Sequence, residues 1–133
     1  MICSENLCLR IERVKFAAPS ERIEIKSENA VAICIKPHLA ADWRMLLQAL
    51  FYAYHWRGPA KNRNISALVF LTRRGQIKEA LEASAVGSTE AVCAALGPRE
   101  ELDRLEAPRG EPYYPQGGWS PWEITAFALE LVT

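Results

Sequence analysis

The sequence predicts an α+β protein of one domain, residues 1–133, in which helices flank a mixed β-sheet. Short apolar runs with strand periodicity lie near the N-terminus and around residues 91–96. A long stretch with helical periodicity lies between them, and another closes the chain. Half of the residues are apolar, which is ordinary for a globular domain with a single core.

The predicted strands differ in how completely they are buried. Leu7–Glu12 alternates apolar side chains with Cys8, Arg10 and Glu12, which is the period of a half-buried strand. Arg22–Lys26 alternates in the same way, and its charged side predicts a position near a sheet edge. Ala30–Ile35 is apolar on both faces and therefore predicts a central strand.

Two helices are predicted in the middle of the chain. Pro37 suits the first turn of a helix, because its missing N–H costs nothing there. An apolar stripe continues from it to about Trp56, so this first helix is long. Asn64 is the predicted N-cap of a short second helix, which ends before Arg73 and Arg74.

A C-terminal helix is predicted from a capping box. Ser120-Pro121-Trp122-Glu123 carries the box, with proline at the first helical position. The helix is apolar on more than one side, and its Trp122, Leu129 and Val132 form a candidate surface for a partner protein. The alternative is that the helix is buried inside its own domain.

The charges are unevenly distributed along a chain of zero net charge. The segment from His55 to Lys78 contains six Lys/Arg and no acid, whereas Glu79 to Glu111 contains eight acids and three bases. A basic block without internal partners favours a polyanion, most commonly nucleic acid. The alternative is a solvated face whose charges pair with the acidic segment after folding.

The four cysteines do not indicate a metal site. They are Cys3, Cys8, Cys34 and Cys93, with no C-x-x-C pair and no histidine at zinc-ligand spacing, so neither metal nor cofactor is expected. Cys34 lies in an apolar run, as does Cys93, so both are expected as small core residues. The N-terminus lacks a basic n-region and a long h-region, which predicts a cytoplasmic protein. A structural disulfide is then possible only if the source is an intracellular hyperthermophile.

The sequence contains no recognisable catalytic motif. G-x-S-x-G, Walker A, H-E-x-x-H and G-x-G-x-x-G are all absent. We therefore expect a chain that is not an enzyme. A small enzyme whose site is assembled from distant residues is the hypothesis opposed to this expectation.

The order of the short motifs resembles one known family. Leu7 to Leu96 is similar to the small kinase-binding subunit of the KEOPS complex, the Cgi family. The residues that carry the resemblance are Ala30-Val31-Ala32-Ile33, Asn64-Ile65, Leu68-Val69-Phe70-Leu71-Thr72, Gln76-Ile77-Lys78-Glu79-Ala80-Leu81 and Val86-Gly87. Two positions depart from the family pattern. Ser66 stands where Glu is frequent, and Arg73-Arg74-Gly75-Gln76-Ile77 stands where the family usually has Gly-x-Arg-Gln-Ile.

The resemblance implies a non-catalytic subunit of the complex that makes threonylcarbamoyladenosine in tRNA. It implies docking on the kinase-like ATPase subunit and binding of the single-stranded CCA end of tRNA. Cations along the phosphates and planar groups against the bases hold such a strand, and the segment Lys61 to Lys78 offers both. The predicted RNA-binding residues are Lys61, Asn62, Arg63, Asn64, Arg73, Arg74, Gly75, Gln76, Ile77 and Lys78.

A second function remains open beside this one. The chain would be a pure protein–protein adaptor, in which the basic block contacts an acidic partner and no RNA binds. The exchanged glycine and arginine at Arg73-Arg74-Gly75 are the feature that favours it.

Overall fold

The fold combines an antiparallel sheet with helices on both of its faces, which is an α+β architecture. A computed structural model describes residues 2–4, 7–19, 25, 29–40, 43–56, 62–72, 81–82 and 84–113. Its strands are β1 (Ile2–Ser4), β2 (Leu7–Lys15), β3 (Val31–Ile35), β4 (Glu90–Gly97) and β5 (Glu111–Pro112). Its helices are a 3-10 helix (Pro37–Ala40), α1 (Trp43–Trp56), α2 (Arg63–Thr72) and α3 (Arg99–Arg104).

The strands follow the order β1-β2-β4-β3, and β5 pairs with β2. All pairs among the described strands are antiparallel, so the prediction of a mixed sheet is wrong for this part of the chain. The reason lies in the connection between β3 and β4. Ile35, at the end of β3, pairs with Val92 near the start of β4, so the chain leaves and re-enters the sheet at the same end. A single crossover helix would have given parallel strands.

Among the described strands, β3 lies at the end of the order and not at its centre, contrary to the prediction. All five of its residues are nevertheless buried. Other groups cover its outer edge, since the Ala85 N–H donates to the Cys34 carbonyl at 2.9 Å and Ser84 forms a bridge with Ile35. The apolar pattern of Ala30–Ile35 therefore predicted burial correctly, but it did not predict the number of neighbouring strands.

The main core lies between one sheet face and the helices α1 and α2. It includes Leu9 and Ile11 from β2, Ile33 from β3, and Leu46 and Leu50 from α1. Each fully buried aliphatic side chain of this kind contributes roughly 1.5–3 kcal/mol by leaving water. This burial fixes α1 and α2 on the sheet.

The opposite face of the sheet is covered by α3 and the residues after it. Leu102 and Leu105 pack there against small side chains, among them Ala32 and Ala95. Strand β2 is consequently buried on both faces from Cys8 to Glu12, and Arg10 is only 7% exposed. The prediction of a half-buried β2 is therefore wrong.

Several predicted helices and one predicted strand differ from the structure or lie outside the described residues. Pro37 starts a 3-10 helix and not an α-helix, and residues 41 and 42 before α1 are not described. The predicted strand Arg22–Lys26 is undescribed except for Ile25, and the predicted C-terminal helix lies beyond residue 113. No helix in the described ranges is long and apolar enough to cross a membrane.

Candidate nucleic-acid interface

The N-terminus of α2 is capped by Asn62. Its side-chain Oδ1 accepts a hydrogen bond from the Asn64 N–H at 2.8 Å, and its carbonyl accepts from the Ser66 N–H at 3.1 Å. These are the bonds of an N-cap residue, which satisfies donors of the first helical turn. The prediction that Asn64 is the cap is therefore wrong by two positions. Both asparagines precede the apolar run, and the pattern alone did not distinguish them.

Asn64 instead joins α2 to the sheet. Its Oδ1 accepts from the Ala32 N–H at 2.9 Å, and its Nδ2 donates to the Ile25 carbonyl at 3.2 Å. The Ala32 N–H lies on the outer edge of β3, where no strand of the described sheet satisfies it. The amide of Asn64 is thus committed to the backbone, and its predicted contact with RNA is not supported by this geometry.

Arg63 lies at the first turn of α2, against the end of α1. Its Cζ lies 6.0 Å from the centroid of the Tyr54 ring, within the range of a cation–π contact. The Tyr54 ring also meets His55 edge-on, with centroids 5.1 Å apart, and His55 lies 4.4 Å from Phe51. Planar groups and one cation therefore meet where α1 and α2 approach each other.

Arg63 keeps its charge available in this arrangement. No carboxylate in the described ranges lies within 4 Å of it, whereas Arg13 and Arg109 each hold an ion pair. The N-terminus of α2 adds the positive end of a helix dipole at the same place. The described part of the basic block thus offers positive potential and a planar surface.

Three of the predicted site residues lie within the described part of the chain. Asn62 is exposed, and Arg63 and Asn64 are half-buried. The structure brings these three together at one helix end. The others lie outside the described residues: Lys61, Arg73, Arg74, Gly75, Gln76, Ile77 and Lys78 of the RNA-binding set, and Trp122, Leu129 and Val132 of the partner-binding set.

A buried charge cluster lies on the other face of the sheet. The Glu12 carboxylate accepts hydrogen bonds from Arg109 Nε at 2.9 Å and Nη2 at 3.4 Å. Arg10 Nε lies 3.9 Å from the same carboxylate, and its Nη1 donates to the Leu102 carbonyl at 2.8 Å. Gly110 allows this approach, because a Cβ there would collide with the backbone of Arg13. Burial first, and then the neighbouring Arg109, lower the pKa of Arg10.

Sequence reasoning missed this cluster, although a signal was present. Arg10 and Glu12 are two positions apart on one strand and so share a face. Opposite charges with that spacing, inside an apolar run, are compatible with a buried pair as well as with a solvated edge. Only the position of Arg109, far along the chain, decides between them.

All four cysteines are paired. Cys3 and Cys8 form one disulfide and Cys34 and Cys93 form another, and each pair stands directly opposite in register. Cys34 and Cys93 are buried, as predicted, but each is bonded to a strand neighbour and neither is a lone core residue. The described part of the chain contains no group of three or more His, Cys, Asp or Glu arranged to hold a metal ion.

The comparison with known proteins adds no relative. No protein-family model, curated protein or solved structure matches this chain.

Proposed function

We propose that this chain is a non-catalytic, cytoplasmic subunit of a KEOPS complex, which binds the single-stranded CCA end of tRNA and docks on the kinase-like ATPase subunit. The motif resemblance between Leu7 and Leu96 is one support, because it spans β2, β3, α1, α2 and β4. The observation that carries the proposal is the N-terminus of α2. There a cation that pairs with no carboxylate of the described residues lies against an aromatic ring.

The geometry of α2 suits a grip on a short single strand. Its first turn is held by the Asn62 cap and by the two bonds of Asn64, so the position of Arg63 is fixed before any ligand arrives. Ordering these groups in advance lowers the entropy lost on binding. The helix of 10 residues is about 15 Å long, and Arg73 and Arg74 directly follow its last residue in the sequence.

Planar side chains supply the second requirement. Bases of a single strand stack on aromatic rings and on guanidinium planes, and each such contact contributes roughly 1–3 kcal/mol. Tyr54, His55 and Arg63 present such planes close together, and His55 is exposed. In the proposed complex the cations hold the phosphates and these planes contact the bases.

The first test is binding of tRNA with and without its CCA end, measured by gel shift. We expect binding to be lost with the CCA end and to weaken with salt, by about −0.7 in log K per log salt for each phosphate contacted. A three-nucleotide tail permits only a few such contacts. A salt slope as steep as that of a protein bound along a duplex would mean that the basic block binds the double-stranded body of the tRNA instead.

A charge reversal then separates the two functions. We expect Arg73→Glu with Arg74→Glu to abolish tRNA binding and to preserve association with the kinase-like subunit. The matched control is Arg99→Glu with Arg104→Glu, because both arginines are exposed on α3, which packs on the other sheet face. If the Arg73/Arg74 variant is folded and still binds tRNA, the adaptor without RNA binding is the better function.

The docking surface has its own test. If the C-terminal segment contacts the kinase-like subunit, Leu129→Glu with Val132→Glu should prevent co-purification and preserve tRNA binding. Loss of kinase association in the Arg73/Arg74 variant, with circular dichroism unchanged, would show that the two surfaces are one.

The proposal also includes the absence of intrinsic turnover. Purified chain should show no ATPase, nuclease or transferase activity. Dose-dependent turnover that a point substitution removes would establish an enzyme and overturn the subunit.

A further inference from the structure

The two disulfides differ in how far a reductant can reach them. Cys3 lies on β1 and is exposed, whereas its partner Cys8 is 2% exposed. Cys34 and Cys93 are both buried, in a cluster that also contains Val14. Thiol–disulfide exchange requires that a thiolate reach one of the two sulfur atoms. The first bond is therefore open to attack at Cys3, and the second bond is shielded at both of its cysteines.

The accessible bond attaches β1 to β2. Three residue pairs join these strands, and Cys3 and Cys8 form the middle pair. Among the described strands, β1 pairs with β2 alone. A strand of three residues with a single neighbour gains little stability from its own ladder. The covalent bond is therefore the main constraint that keeps β1 on the sheet.

The outer edge of β2 is shared by β1 and β5. The other edge of β2 pairs with β4. On the outer edge, the Ile11 carbonyl accepts a hydrogen bond from the Tyr113 N–H at 3.0 Å, next to β5. Backbone groups at alternate positions of a strand point to the same edge, so Leu7 and Leu9 direct theirs to β1. Release of β1 would uncover the backbone of Leu7 and Leu9, while β5 would still cover the rest of this edge.

We propose that the Cys3–Cys8 bond is a redox switch, which a dithiol reductant opens while Cys34–Cys93 stays bonded. A thiolate of the reductant attacks Cys3 Sγ, the S–S bond breaks, and Cys8 leaves as a thiolate that takes up a proton. The second thiol of the reductant then attacks the mixed disulfide and releases Cys3 as a thiol. The reductant is thereby oxidised to its disulfide, and the two cysteines gain the two electrons and two protons that it loses.

The redox state of this bond then sets whether the edge of β2 is covered at Leu7 and Leu9. Cys8 packs against Leu102 beneath α3, so Cys3 carries the thiol that faces solution in the reduced state. The inference does not rest on the proposed function, because Cys8 lies on the sheet face opposite α2.

The first test is limited reduction of the native wild-type chain with dithiothreitol. Samples are quenched at intervals with N-ethylmaleimide in denaturant, and the labelled cysteines are identified by peptide mass spectrometry. We expect Cys3 and Cys8 to be labelled at least ten-fold faster than Cys34 and Cys93. The control is the same reaction in denaturant, where burial is lost and the two pairs should react at similar rates. Equal rates for the two pairs in the native chain would overturn the proposal, and so would earlier labelling of Cys34 and Cys93.

The second test follows the release of β1 by amide hydrogen exchange. The bonded cysteines are five positions apart, and for such a loop the chain-entropy relation corresponds to a change of about 30-fold in the opening equilibrium. After selective reduction we expect the Leu9 amide to exchange faster by about this factor, and the Ala94 amide of β4 to keep its rate.

Cys3→Ser is the matched variant, because Cys3 is exposed and its replacement leaves the core intact. It should show the fast exchange at Leu9 without reductant and should not respond to dithiothreitol. Unchanged exchange at Leu9, in the reduced wild type or in Cys3→Ser, would show that β1 stays in place without the bond and would refute the switch.

Discussion

The disulfide between Cys34 and Cys93 should make the largest single contribution to stability outside the apolar core. It joins β3 to β4 and closes a loop that contains both α1 and α2, with a sequence separation of 59. For a loop of this length the chain-entropy relation gives about 14 cal/mol/K, or about 4 kcal/mol at 25 °C. Cys34→Ala with Cys93→Ala should therefore lower the free energy of unfolding by about 4 kcal/mol, a large part of the roughly 5–15 kcal/mol of a typical domain.

The matched control is the second disulfide. Cys3 and Cys8 are only five positions apart, so the same relation gives about 2 kcal/mol for Cys3→Ala with Cys8→Ala. Urea titration followed by circular dichroism measures both losses. With a slope of about 2 kcal/mol per molar, the midpoint should fall by about 2 M for the long loop and about 1 M for the short one. Reductant should destabilise the wild type and should have no further effect on the variant lacking all four cysteines.

Two results would refute this reasoning. The first is a thiol titration of the denatured, unreduced wild type that finds four free thiols, because then neither bond exists. The second is an equal loss for the two pairs, because loop entropy would then not be the source of the stabilisation.

Three further predictions follow from contacts of single side chains. Asn64→Ala removes the bond to the edge of β3 and the bond to the Ile25 carbonyl, and it should lower the free energy of unfolding by about 1–3 kcal/mol. The cap variant Asn62→Ala should lower it by about 1 kcal/mol, and equal losses in urea would contradict the link between α2 and the sheet. Arg109→Ala removes the hydrogen bonds to buried Glu12 and should lower the free energy of unfolding by about 1–2 kcal/mol. The loss is modest because Arg109 itself is largely exposed. In a double-mutant cycle, adding Glu12→Gln should recover part of this loss. Arg63→Ala should weaken tRNA binding several-fold and change the free energy of unfolding by no more than about 1 kcal/mol; unchanged affinity would place the RNA elsewhere.

The elements were predictable from the sequence because apolar periodicity records burial. Leu7–Glu12 and Ala91–Leu96 were both predicted as strands, and they lie within β2 and β4. The short helix before Arg73 was also predicted and corresponds to α2. What periodicity does not record is the neighbour that causes the burial. β3 was placed at the centre of the sheet because both its faces are apolar, whereas its outer edge is closed by Asn64 and by the Ala85 N–H.

The candidate site was predictable only in part, for a related reason. Basic composition identified the segment that contains Arg63, but it could not show that Asn62 would cap the helix or that Tyr54 would lie under the guanidinium. Both facts depend on how α1 and α2 meet, which no short pattern contains.

The buried cluster shows most directly why local patterns fail. Arg10 and Glu12 have the spacing of a polar strand face, and a polar face is normally solvated. They are buried because β4, and β3 beyond it, present small side chains on that side, such as Ala95 and Ala32, and because Arg109 returns from far along the chain to hold Glu12. Arg10 and Glu12 on β2 are thus matched by small side chains on β4 and on β3 beyond it. The residues of β2 and of β4 each look ordinary in sequence. They form the buried charge cluster only when the register of the two strands brings them together.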